Sequence, residues 1–141
     1  MPNLVATAET DIAADPHTVW EALTDPSQIK QYMFGSDVST DWQVGSPITW
    51  TGEHEGKRYE DKGEIVEVAE DRRLVVTHFS PMSGQPDEPS SYHTLTYDLR
   101  DKDGATHLSL SQDGNGDQAE ADRSQQNWQM MLDQLKELVE S

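Results

Sequence analysis

Three side chains, His78, His93 and Tyr97, have the chemistry for acid–base work, because an imidazole exchanges protons near neutral pH and a phenol can donate or accept a hydrogen bond. Either histidine acting beside Tyr97 would serve as a general acid or base toward a small molecule. The competing reading of each is a structural or exposed histidine. No nucleophile elbow, dinucleotide fingerprint, phosphate-binding loop or zinc-hydrolase spacing accompanies them. The sequence has no cysteine, which removes thiolate nucleophiles, zinc–thiolate sites and disulfides. Asp113, Asn115 and Asp117 have the one, three, five spacing of an oxygen-rich calcium loop, but Gln118 stands where that loop needs glycine and Ser124 where it needs a bidentate Glu. Turn geometry and helix capping by Asp117 are the simpler account. Catalysis is therefore the alternative rather than the expectation, and neither a metal nor an organic cofactor is expected.

Strands carry most of these residues. Leu4, Ala6, Ala8, Thr10 and Ile12 alternate along one face of a first strand. Asp15-Pro16 and Asp25-Pro26 each place a capping residue before a proline suited to a first helical turn, and Gln28 completes a capping box with Asp25. Val19, Trp20 and Leu23, then Ile29, Tyr32 and Met33, form the inner stripes of two short helices, and Phe34-Gly35 turns the chain back. From Trp42 to Leu110 the period is mostly two. Strands are expected at 47–51, 57–68, 73–79, 90–99 and 105–112, with a weaker extended piece near Val38 and turns at Gly45, at 54–56 and at Asp103-Gly104. Pro81, Gly84, Pro86 and Pro89 punctuate a rim loop or flap. Beyond Gly114 and Gly116, Asp117 and Glu120 signal a helix start, after which Ala121, Gln125, Trp128, Met131, Leu132, Leu135, Leu138 and Val139 build one apolar side over about six turns. A curved antiparallel sheet gripping that helix buries its apolar face most economically.

Composition narrows the partners. The chain has 141 residues, about one domain's worth, and 10 Lys and Arg against 27 Asp and Glu leave a formal charge of −17. A phosphate backbone or an anionic lipid surface would be repelled, so neither nucleic acid nor membrane is an expected partner. Such acidity with few counterions suits a protein kept hydrated in a salty cytoplasm, an ordinary acidic protein being the alternative. There is no basic start followed by an apolar run and no long apolar span, so export and membrane crossing are not expected; the default is a cytoplasmic monomer or small homo-oligomer.

The stretches 19–26 (Val-Trp-Glu-Ala-Leu-Thr-Asp-Pro), 42–45 (Trp-Gln-Val-Gly) and 63–68 (Gly-Glu-Ile-Val-Glu-Val), then Arg73-Leu74 and the pattern from Trp128 to Leu138, occur in an order that resembles the SRPBCC, or START-like, superfamily, particularly homologues of the activator of the heat-shock chaperone ATPase. The resemblance spans nearly all of residues 1–141, taken as one domain. It implies an α+β helix-grip fold: six or seven curved antiparallel strands around the C-terminal helix, with two short helices after the first strand. It also implies a cavity between sheet and helix. Alternation then offers Trp50, Val76, His78, Leu95, Tyr97, Leu108 and Leu110 as its strand walls and Trp128, Met131, Leu132 and Leu135 as its helix wall, with His78, His93 and Tyr97 supplying hydrogen bonds. A solid core is the competing account. Binding of a small hydrophobic or amphipathic molecule is the expected function, linked by resemblance to stress biology; a chaperone-contacting module and a cyclase-like enzyme are the alternatives. Asn127 before Trp128, Ser46-Pro47 after Gly45 and His78 depart from the pattern of this branch.

Overall fold

Leu4 to Ile12 form β1, whose alternation buries Ala6, Ala8 and Ile12 and leaves Val5, Thr7 and Glu9 outside. The computed structural model describes residues 4–33, 35–54, 56–80, 86–88, 91–115 and 117–140. Helix α1 (Pro16–Thr24) is capped by Asp15, whose carboxylate accepts from the Thr18 amide at 2.9 Å, and α2 (Pro26–Tyr32) by Asp25, which accepts from the Ser27 amide at 3.0 Å. Gln28 donates its amide to the Asp25 carboxylate (3.1 Å), a variant of the expected box. Trp20 is 6% exposed and sits in the core with Val19, Leu23, Ile29 and Tyr32, so both short helices are anchored by their inner stripes.

Six further strands follow: β2 (Asp37–Ser39), β3 (Pro47–His54), β4 (Lys57–Ala69), β5 (Arg73–His78), β6 (His93–Lys102) and β7 (Ala105–Asn115). With β1 they form one seven-stranded antiparallel sheet in the order β1-β7-β6-β5-β4-β3-β2, curved but not closed into a barrel. The Asp103-Gly104 turn between β6 and β7 has positive φ at both residues, 55° and 91°, the two-residue geometry that an Asp-Gly pair favours. Phe79, expected inside β5, forms an isolated bridge to Lys62 beyond the strand's end. The expected flap at 81–89 and the start of β6 at Ser90 fall largely outside the described residues, as do Phe34, Glu55 and Gly116 of the expected turns.

Helix α3 (Gln118–Glu140) closes the concave side. Asp117 accepts from the Glu120 amide at 2.8 Å and so caps it. Its buried residues Ala121, Met131, Leu132 and Leu135 pack over β1 and β7. At the edge of the sheet its polar side chains bind the backbone of β1 and of Ala13, the residue that follows it, directly. Gln129 donates to the Glu9 carbonyl (3.0 Å) and accepts from the Glu9 amide (3.4 Å), Lys136 donates to the Asp11 carbonyl (2.7 Å), and Glu140 accepts from the Ala13 amide (2.8 Å). The outer backbone of an edge strand is thereby paired rather than left open.

Candidate functional site

Between α3 and the strands opposite it lies a cleft of about 720 Å³. Its sheet side is Trp50 of β3, Tyr59 and Asp61 of β4, His78 of β5, Leu95 and Tyr97 of β6 and Gln112 of β7; its helix side is Ser124, Asn127, Trp128, Met130 and Met131. Register explains why these residues meet. Trp50 is directly opposite Asp61, Val76 opposite Leu95 and Leu74 opposite Tyr97, and alternation carries Leu95, Tyr97 and Leu99 to one face of β6. Met33 and Ser36 from the segment after α2, the exposed Glu53 of β3 and Ser80 beyond β5 complete the lining.

Polar groups sit at defined places in this apolar setting. His78 Nε2 lies 2.9 Å from Asp61 Oδ2, and the imidazole meets the Trp50 ring edge-on, with centroids 5.1 Å apart at 66°. A carboxylate only accepts, so the proton of this bond is on Nε2. The other Asp61 oxygen, Oδ1, is buried and has no hydrogen-bond partner among the described residues. Trp128 Nε1 donates to Gln112 Oε1 (2.6 Å), fixing the indole against β7, and Ser124 donates to Asn115 Oδ1 (3.0 Å). Tyr59 and Ser36 share a hydrogen bond between their hydroxyls. Burial pushes the Tyr97 phenol far above its ordinary value, so in the folded chain it is a fixed neutral group rather than a proton exchanger near neutrality.

Of the residues proposed from the sequence as cavity walls, Trp50, His78, Leu95, Tyr97, Trp128 and Met131 line the cleft. Val76, Leu108, Leu110, Leu132 and Leu135 do not; they are at most 1% exposed and belong to the continuous core. Alternation identifies the inner face of a strand but not how far along it the space extends. His93 is opposite His78 across β5 and β6, yet its Nδ1 binds the Asp113 carbonyl at 2.8 Å and it does not line the cleft. Four residues of extended strand separate it from Tyr97 by about 13 Å, so the two cannot act as one acid–base pair. Asp113 Oδ1 accepts from the Thr94 amide (2.6 Å), Asn115 Oδ1 from Ser124, and Asp117 Oδ1 from the first turn of α3, so each of these oxygens serves a separate local bond. Asp61, Gln112 and Ser124 are among the lining residues that the sequence does not single out. The sequence signal for Asp61 was its position within the alternation of β4, but only the register across β3, β4 and β5 reveals its partner.

An open curved sheet, a long terminal helix and a cleft between them define the helix-grip class, whose members bind ligands or partner proteins. The family described as "Activator of Hsp90 ATPase homolog 1-like protein" matches residues 13–140, and this chain belongs to it. The solution structure of ChR145 from Cytophaga hutchinsonii is 44% identical, with a TM-score of 0.87 over 99% of this chain and 97% of that one. The Aha1 dimer from Colwellia psychrerythraea shares the fold at 17% identity, with a TM-score of 0.76 over 97% and 96% of the two chains. CalU16 from Micromonospora echinospora does so at 18% identity, with a TM-score of 0.72 over 98% and 85%. No curated protein matches the chain significantly. Among the described residues, no helix is long and apolar enough to cross a membrane.

Proposed function

We propose that this protein binds a small hydrophobic or amphipathic molecule, noncovalently, in the cleft between the sheet and α3. The observation that carries the reading is the combination of room and lining: about 720 Å³ bounded by Trp50, Leu95, Tyr97, Trp128 and Met131. A ligand that buries about 200 Å² of apolar surface there gains about 5 kcal/mol before the cost of its immobilisation is subtracted. Calorimetric titration with a varied set of compact aromatic compounds tests it. Saturable binding is expected, and Asn127→Trp, which places a bulky ring at the helix side of the cleft, should weaken it while the fold persists. Absence of binding across the set, or binding indifferent to Asn127→Trp and to Leu95→Trp, would refute it.

The family's description supports a second reading, contact of the outer surface with the Hsp90 chaperone. Steering by the acidic surface would make that contact sensitive to salt. Stimulation of a purified Hsp90 ATPase by this chain, with cleft-filling variants equally active, would favour it over ligand binding.

A further inference from the structure

The hydroxyl and amide groups of the cleft can donate as well as accept, so charge is what would tell one ligand head group from another. Asp61 Oδ2 is already engaged by His78, whereas Oδ1 is buried without a protein partner among the described residues. Glu53 brings a second carboxylate to the lining, while no Lys or Arg lines it. The residues outside the described set include no Lys or Arg in the sequence, so none of their side chains supplies that missing cation. The aromatic rings of Trp50 and Trp128 flank the same space, and the face of an indole attracts cations.

A guest that covers the Asp61 carboxylate removes part of its hydration, and a guest that brings a cation offsets that loss. From these observations we infer that the cleft selects molecules with a protonated amine on a compact apolar body, the ammonium pairing with the Asp61 carboxylate, and rejects carboxylic acids of the same shape. An anionic head would lie beside the Asp61 carboxylate with no Lys or Arg in the lining to offset the repulsion, so the same residue that attracts the amine disfavours fatty-acid-like ligands. This inference rests on the reading of the cleft as a binding site.

Naphthylmethylamine, naphthylmethanol and naphthoic acid of the same ring position separate the two ideas, because they share a body and differ in head group. Calorimetry is run at neutral pH in about 0.5 M KCl, where the screening length falls to about 4 Å and the overall charge contributes little. The amine should bind roughly tenfold or more tightly than the acid, as expected for a charge-assisted hydrogen bond, with the alcohol between them. Asp61→Asn should remove the preference for the amine over the alcohol while the alcohol still binds. Glu137→Gln, the same change of charge on an exposed part of α3, should leave the preference intact. Acid binding as tight as the amine, or a preference that survives Asp61→Asn, overturns the inference. Binding of all three probes without preference removes the amine selectivity alone, whereas failure of all three to bind, together with the varied set above, removes the binding site as well. Should Asp61→Asn fail to fold, the order of the three affinities in the unaltered protein decides the matter.

Discussion

Tyr32 donates its hydroxyl to the Ala22 carbonyl (3.0 Å) from inside the core, and Tyr97 forms part of the cleft wall; burial raises both phenols well above the ordinary value. In the unfolded chain both ionise near pH 10. Above that pH the folded state therefore holds more protons than the unfolded one, and stability that is complete below about 10 is lost as the pH rises. An alkaline titration followed by tyrosinate absorbance should show two of the four tyrosines withheld until ellipticity collapses. Independent ionisation of all four with the fold intact would contradict this. Single residues were also where the sequence was least legible. Trp20 and Asp117 declared their roles through local spacing, because an apolar stripe and a cap are decided within one or two turns of chain. Asp61 and Gln112 did not declare their partners, because what each binds, His78 in one case and Trp128 in the other, lies on a different element.

Among the elements, β4 is held to β5 by a contact that only glycine permits. A Cβ on Gly63 would lie 1.8 Å from the Thr77 carbonyl oxygen, and the adjoining Glu64 amide is taken by Thr77 Oγ1 at 2.9 Å, just before the register shift between Ile65 and Glu67. Gly63→Ala must therefore move backbone, and urea denaturation should show a loss of about 3 kcal/mol or more. Gly52→Ala is the comparison: the added methyl meets the Tyr59 hydroxyl, 2.6 Å away at the end of a side chain that can turn, and should cost distinctly less. Equal losses would show that the tight approach at Gly63 is not a constraint. The strands and α3 were legible because their periods of two and 3.6 persist for many residues. Their ends were not. β7 runs three residues past the expected Gln112 because Thr94 binds Asp113 and the Asn115 amide donates to the carbonyls of Leu4 (2.9 Å) and Gln112 (3.0 Å), and none of those contacts is visible as periodicity.

For the molecule as a whole, a formal charge of −17 leaves many carboxylates without a cation to pair with, and exposed pairs such as Arg73 with Asp98 and Lys30 with Asp37 offset only part of their mutual repulsion. Screening lowers that repulsion, so the midpoint of thermal unfolding should rise steadily as KCl is raised from about 0.05 M to about 1 M, where the screening length shrinks to about 3 Å. A midpoint that is flat or falls over this range would show that the acidity imposes no such cost. The bonds from Gln129, Lys136 and Glu140 to the backbone of β1 have a consequence of their own. Lifting α3 to admit a guest would strip a row of amides and carbonyls at the same moment that it wetted the interior. The terminal helix is therefore a seam rather than a door, and any guest of the cleft would have to pass along it without unpicking it.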